Sequence, residues 1–532
     1  MVQRFHAILI WPLELLLPVR LRGLTKEEGF VRKLSDEVVR SSAGLWQSVD
    51  VLDRGTAEDP DLPYAEFVYF HPFAQRVLYP PADDKNPALA ILGRKDIEGV
   101  KVELLDADTV TFDVKRIHLY LFRSQTALIV VEVSNRDPLE MHTALQFADQ
   151  FRRAYAPFYW QGRAGHCPVK VRWLVAEGHT GSPPPDSDFD NPAAMYKPVA
   201  NPSERKAPIA AHWRWLIQPL KGADEAGSDQ IAVEQLEDDR IPSMLYLGME
   251  DPFAVSPGDF MRICFCDEKG NSNDFPYGRR FLADFEQKHC YDRFWNPPHG
   301  QDARDEWRST RYLCCGYNLA IVTKPFGFGD HILSQFRHHY FQLGLLAHFH
   351  RASLLKYSRR LTVAVAEAEN PGEGKPWESL ARVRREFADF INQYWFREIS
   401  NQEQGKELFH WWSEKLGNRE LLDQLTKEAG AVDGILNQDF QRKLQLSTDR
   451  LTKALFWLAG LTLIVALLDW GWVRNVAEWV WDQFLGYHLD CRFHVWWLAA
   501  LTLGLGGIGF LILFRVYRKW YPRKERDDAH QG

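Results

Sequence analysis

The sequence predicts an α/β domain followed by a long helical stalk and two C-terminal transmembrane helices, and three observations carry that expectation. Short runs of β-branched and aromatic residues fill the first third of the chain, helical periodicity takes over from His331, and two apolar stretches lie near the C-terminus. The expected division is a cytoplasmic α/β domain over 1–330 and a helical region over 331–450. A two-helix transmembrane domain follows over 451–516, with an outer loop at about 469–492, and a basic cytoplasmic tail closes the chain over 517–532.

The 532 residues, 45% of them hydrophobic, suffice for two or three domains with proper cores. A formal charge of -7 without a basic stripe excludes a dedicated nucleic-acid binder. Seven cysteines are too few for a disulfide scaffold and suit a reducing compartment. Cys264 with Cys266, His289 with Cys290, and Cys314 with Cys315 can be drawn together as a zinc site, but no C-x-x-C knuckle is present, so buried structural thiols are expected. At the N-terminus Pro12 and Glu14 interrupt the apolar run, which therefore reads as a buried first strand rather than a signal peptide.

Taken in order, "FHAILIW", "YAEFVYF", "TVTFDVKRIHLYLF" and "TALIVVEVSN" read as strands, the last two joined through "RSQ" as a hairpin. The segment "DPLEMHTALQFADQF" reads as an amphipathic helix with Asp137 as its cap. Proline crowds the stretch 178–208, which marks a surface insertion. Strand-like runs resume in "HWRWLIQPL", "DFMRICFCD" and "RYLCCGYNLAIVTK". Helices are then expected over about 331–368, over 377–416 with a break near Gly405, and from Asn418 onward. If the last continues into the first apolar stretch it has roughly 50 residues and a length of about 75 Å. Histidines 331, 338, 339, 348 and 350 lie on the first of these helices, but none forms an i,i+4 pair, so satisfied or solvated histidines are expected rather than a metal site.

Ala454 to Leu468 and Phe493 to Phe514 carry no formal charge, against the ~20 apolar residues a spanning helix needs. Trp457, Trp470, Trp472, Trp479, Trp496 and Trp497 cluster around them, as interfacial anchors do. Arg442, Lys443, Arg450 and Lys453 precede the first stretch and Arg515, Arg518, Lys519, Arg523 and Lys524 follow the second, which places both termini inside. The expected location is an inner, plasma-type membrane of the bacterial kind, with lipid as a partner.

Stepping by three or four along the last helix gives a line of small or polar residues that includes Thr448, Thr452, Ala459, Thr462, Ala466 and Asp469, with Leu455 as its one bulky member. A polar line entering an apolar stretch is expected to face water, which makes these the candidate pore-lining residues and Leu455 a candidate apolar gate. The alternative is close helix packing with threonines bonded back to their own helix. Asp469, with Glu478, Asp482 and Asp490 of the loop, would form an acidic outer mouth that draws in cations. Two spans cannot enclose a channel, so the pore requires a homo-oligomer.

The layout of an α/β domain, a very long stalk running into the first span, a short loop, a second span and a basic tail, with "SNQEQGKELFHWWSEKLGNRELLDQL" ahead of the stalk, resembles the CorA-like magnesium transporter superfamily. The resemblance implies a funnel-shaped homopentamer passing cations, with Mg²⁺ or another divalent cation as candidate substrate or regulator; no other cofactor is implied. The family's Gly-Met-Asn motif is absent where the sequence reads "LLDWGWV", so no metal ligands are assigned and divalent selectivity does not follow. Passive cation permeation is the leading expectation. A defence-system membrane effector gated by a small signalling nucleotide and a non-conducting anchored scaffold are the alternatives. No triad, P-loop, metalloprotease helix or nucleophile elbow occurs, so no enzymatic activity is expected.

Overall fold

The computed structural model describes all residues except 50–65, 82–83, 106–108, 188, 190–208, 224, 268–277, 298–307, 370–375 and, beyond 467, all but Asn475, Trp479, Gln483, Ala500, Gly504 and Arg515. The chain divides into two compact units, Met1–Ala429 and Gly430–Gly532.

The first unit is built around one mixed sheet. Its strands are β1 (Val2–Leu16), β2 (Gln47–Ser48), β3 (Leu89–Arg94), β4 (Ile97–Glu103), β5 (Thr109–Phe122) and β6 (Thr126–Asn135). After a separate two-stranded hairpin of β7 (Tyr159–Trp160) and β8 (Arg163–Ala164) come β9 (Lys170–Val175), β10 (Lys221–Gly222), β11 (Ala232–Gln235) and β12 (Ser243–Met249). The last three are β13 (Cys290–Trp295), β14 (Ser309–Cys314) and β15 (Asn318–Thr323). The main path runs β13-β14-β15-β12-β1-β6-β5-β3-β2, with β4 and β9 continuing from β5 and β10 and β11 joining β1. The β12–β15 and β10–β11 pairs are parallel and the remaining pairs antiparallel.

The expected first strand is thus the centre of the sheet, and Pro12 sits within it without breaking it. On one side β1 pairs with β12 through Leu9 and with β11 from Leu13, so the proline falls where the neighbour changes and no partner needs its missing N–H. The hairpin read at "RSQ" is present, with Gln125 at φ 62 and its N–H donating to Phe122 O.

Both faces of the sheet are covered, which explains why β1 and β6 read as nearly continuous apolar runs rather than alternating ones. Phe5, Ala7, Leu9, Trp11 and Leu13 share one core with helices Phe30–Ser41, Met141–Phe151, Ala211–Ile217 and Pro257–Phe265. The opposite face meets the helix Phe341–Glu369: Phe122 stacks on Phe349 with ring centroids 3.9 Å apart, and Tyr120 lies 6.1 Å from Phe341. Two fully buried carboxylates interrupt that second face. Glu132 accepts from Arg337 at 2.6 Å and pairs with Arg116 at 2.9 Å. Glu14 pairs with Arg359 and, at 2.8 Å, with Arg360.

Several local expectations need correction. "HWRWLIQPL" and "DFMRICFCD", read as strands, lie mainly in the helices Ala211–Ile217 and Pro257–Phe265, because all-round burial of a short helix removes the polar side that would mark its period. The helix after β6 starts at Met141, beyond Asp137, and has no side-chain cap. Helices 376–394 and Glu403–Lys415 are separated ahead of Gly405, where His71 N–H donates to Ile399 O and Ser400 Oγ to Tyr69 O.

The last helix spans Asn418–Leu467. Asn418 is its first residue, and its side-chain amide donates to Ala347 O at 2.9 Å. Among the described residues no helix is long and apolar enough to cross a membrane. Within the described part of this helix, the run from Leu451 to Leu467 carries Lys453, paired with Asp449 at 2.6 Å. The expected transmembrane domain, membrane location, lipid partner and oligomeric funnel-shaped channel or membrane effector are therefore not supported. Thr448, Thr452, Leu455, Ala459 and Thr462 all belong to this helix. They lie exposed along the helix, and Thr452 and Thr462 donate back to Thr448 O and Leu458 O at 2.7 and 3.1 Å. Ala466 belongs to the same helix. Asp469, Glu478, Asp482, Asp490 and the stretch Phe493–Phe514, apart from Ala500 and Gly504, lie outside the described residues.

Of the five histidines read near the start of the helical region, His339, His348 and His350 are fully buried. His350 Nε2 lies 2.7 Å from Tyr394 O, whereas both ring nitrogens of His339 and His348 lack hydrogen-bond partners among the described residues. Burial pushes His348 and His212 down to about 3 and His338, His339 and His350 to about 4. These rings stay neutral when folded and take up protons when unfolded, so stability is retained above pH ~6.5 and lost as the pH falls toward 4. Denaturant unfolding is expected to lose up to about 1.4 kcal/mol per pH unit for each such histidine across that window. A flat profile between pH 7 and 5 would contradict the burial of neutral imidazoles.

Candidate functional site: a two-lobed cleft

A polar cleft in the first unit surrounds the short strand β10. One lobe, about 520 Å³, is lined by residues that include Arg20, Glu37, Ser42, Gln218, Lys221 and Asp229. The second, about 390 Å³, is lined by Pro183, Arg214, Trp215 and Glu225 among others. Ser182, Gln218, Leu220 and Lys221 line both.

The helix Ala211–Ile217 ends at the cis Gln218–Pro219 bond, after which the chain turns directly into β10. That turn is fixed from below. Trp46 Nε1 donates to Gln218 O at 2.6 Å, and Arg94 Nη1 donates to Leu216 O at 2.9 Å. Arg94 grips Asp96 through two parallel bonds of 3.0 and 2.6 Å, and its guanidinium lies 4.6 Å from the Trp215 ring centroid. Burial would raise the Asp96 carboxyl, but the bonds and charge of Arg94 hold it below its ordinary value. His179 joins this wall at 3.0 Å from Asp96 Oδ2, and Trp215 Nε1 donates to Ser182 O at 2.9 Å.

The opposite wall is charged. Glu37, on the last turn of Phe30–Ser41, accepts from Arg20 Nη2 at 2.6 Å and pairs with Arg40. Arg20 also reaches Asp229 O at 3.2 Å, and in the second lobe Arg214 pairs with Glu225 at 2.9 Å. Lys221 differs from its neighbours. Its backbone N–H donates to Ile231 O, but its half-buried side chain has no partner among the described residues. The cleft therefore offers an ammonium with no partner among the described residues, beside the closed Arg20–Glu37 and Arg214–Glu225 pairs and with the Trp215 ring to one side.

The sequence-predicted site residues are not here; they lie along Asn418–Leu467 or outside the described residues. No group of three or more His, Cys, Asp or Glu that could hold a metal occurs among the described residues, so the zinc constellation read from the cysteines does not assemble. Sequence reasoning missed Arg94, Trp215, Gln218 and Lys221. The one local signal is "WLIQPLKG", where proline ends a helix and a lysine follows in a tight turn.

The chain matches no protein-family model, no curated protein and no solved structure. With no family match and no spanning helix among the described residues, the resemblance to CorA-like transporters is withdrawn, and with it the homopentamer and the divalent-cation substrate.

Arg94→Ala removes the buried cation that ties Asp96, Trp215 and Leu216 together and leaves the half-buried Asp96 carboxylate with only His179 beside it. Urea unfolding is expected to show a loss of about 3 kcal/mol. A change below about 0.5 kcal/mol would show that the wall does not depend on this arginine.

Proposed function

We propose that the first unit is a small-molecule binding module, and not an enzyme, whose cleft takes a compact ligand bearing one acidic group. The observation that carries the reading is Lys221, an unpaired ammonium on the ridge shared by both lobes. An anionic group placed there gains a charge-assisted hydrogen bond, while Arg20 and Arg214 are already neutralised by their carboxylates. The combined size of the lobes suits a metabolite-sized ligand. Trp215, held by Arg94 and Ser182, supplies a flat apolar surface for the rest of it.

A binding role is favoured over catalysis by the chemistry of the lining. Glu37 and Glu225 are tied up in ion pairs, and the Ser41 hydroxyl, which donates to Glu37 at 3.3 Å, meets a carboxylate that Arg20 and Arg40 already hold.

Thermal-shift titration of the full chain against small carboxylates and phosphate monoesters tests this. A binder is expected to raise the melting temperature by mass action, and Lys221→Gln is expected to weaken its binding about tenfold, the equivalent of one charged hydrogen bond. Binding unaffected by Lys221→Gln, or no stabilisation by any acid, would overturn the reading.

A further inference from the structure

Pairing within the β10 cleft uses up most of its charges. Glu37 accepts from Arg20 at 2.6 Å and from the Ser41 hydroxyl at 3.3 Å and also pairs with Arg40, and Glu225 is held by Arg214 at 2.9 Å. Asp229, which lines the larger lobe, is the carboxylate left over among the described lining residues. It is exposed, and its side chain has no partner among the described residues. Lys221 lines the same lobe and is the cation left over. No ion pair joins these two residues, so the lobe keeps an ammonium and a carboxylate that do not neutralise each other.

The backbone holds the two groups in place separately. Lys221 is the partner of Ala232 in the parallel β10–β11 pair, and its N–H donates to Ile231 O at 3.1 Å. Asp229 lies on the segment that leads into β11, and its carbonyl accepts from Arg20 at 3.2 Å. The turn ahead of β11 is closed twice: Gln230 N–H donates to Gly227 O at 3.0 Å, and Gln230 Oε1 accepts from Gly227 N–H at 3.2 Å. The arginine that neutralises Glu37 therefore also anchors the chain bearing Asp229. Between the lobes, the half-buried Gln218 is fixed through its carbonyl by Trp46, and its side-chain amide has no partner among the described residues.

This arrangement selects against ligands that carry only one charge. A simple acid satisfies Lys221 but brings no partner for Asp229, and a simple amine satisfies Asp229 but is repelled by Lys221. The larger lobe has two cations, Arg20 and Lys221, and two carboxylates, Glu37 and Asp229, among its described lining residues. A ligand of zero net charge with separated ends leaves that balance intact and engages both unpaired groups.

We propose that the cleft binds a zwitterionic amino acid, its carboxylate on Lys221 and its ammonium on Asp229. The proposal rests on the reading of the cleft as an acid-binding site and adds the amine to it. The Gln218 amide is available to donate to the second carboxylate oxygen, a hydrogen bond that a phosphate or a carboxylate accepts and an amine does not. Because Asp229 is exposed, its contribution is that of a surface ion pair, about threefold in affinity, while the larger share of the binding stays with Lys221.

The test is isothermal titration calorimetry of the full chain with alanine, β-alanine, γ-aminobutyrate and leucine. Each is compared with its des-amino acid (propionate, butyrate or isocaproate) and its decarboxylated amine (ethylamine, propylamine or isoamylamine). At least one amino acid is expected to bind about threefold more tightly than its des-amino acid, with no binding by the amine. Asp229→Asn is expected to erase that preference and Asp229→Glu to retain it, whereas Lys221→Gln weakens both members of the pair. Des-amino acids that bind as tightly as the amino acids, or a preference that survives Asp229→Asn, would overturn the zwitterion and leave the acid-binding reading standing. Absence of binding by amino acids and des-amino acids alike would overturn both.

Discussion

Two buried carboxylates, Glu132 and Glu14, decide how the first unit is put together. Both project from central strands onto the face that the long helix Phe341–Glu369 covers, and neither has water to fall back on. Desolvation opposes ionisation of Glu132, yet Arg337 and Arg116 hold its carboxyl well below the ordinary value. Charges in such a place cost several kcal/mol each unless paired with good geometry, so the helical layer must arrive in the one register that brings Arg337 to Glu132 and Arg359 and Arg360 to Glu14. Apolar packing such as Phe122 on Phe349 supplies the drive for docking but would tolerate sliding. The ion pairs do not.

That register has consequences at both ends of the helix. Toward its C-terminal part, Lys356 is buried, donates to Ser124 O and is pushed down to about 7 by burial. It ties the helix to the same β5–β6 turn that the sequence marks at "RSQ". Just ahead of its start, residues Phe336–Tyr340 adopt a π turn, which carries Arg337 to Glu132 and Tyr340 to within 3.3 Å of the Tyr312 hydroxyl. This face is committed to internal pairing, and the polar cleft lies elsewhere, around β10.

Much of the α/β framework was legible because its signals are local. The first strand, the β5–β6 hairpin and the start of the last helix at Asn418 follow from β-branched runs, a short polar turn and a period change. Buried short helices were not legible: in "HWRWLIQPL" the spacing of Trp213 and Trp215 mimics a strand, because both sides of that helix are covered. The membrane reading failed for a related reason. Leu455, Leu458 and Leu461 form an apolar stretch that is exposed on the last helix, and among the described residues no helix is long and apolar enough to cross a membrane; composition alone does not distinguish such a stretch from a true span. The cleft was illegible because Arg20, Arg94, Ser182 and Lys221 come from segments far apart in the chain.

Glu132 fixes the helical layer to the sheet through Arg337 and Arg116. Hydrogen exchange on the full chain, wild type against Glu132→Ala, tests it most directly. Loss of that carboxylate leaves Arg116 and Arg337 buried without it, at a cost of about 3 kcal/mol. Amides of both Phe341–Glu369 and β6 are predicted to lose protection together, by roughly a hundredfold. Protection of the helix unchanged within about threefold, with any loss confined to β6, would contradict it.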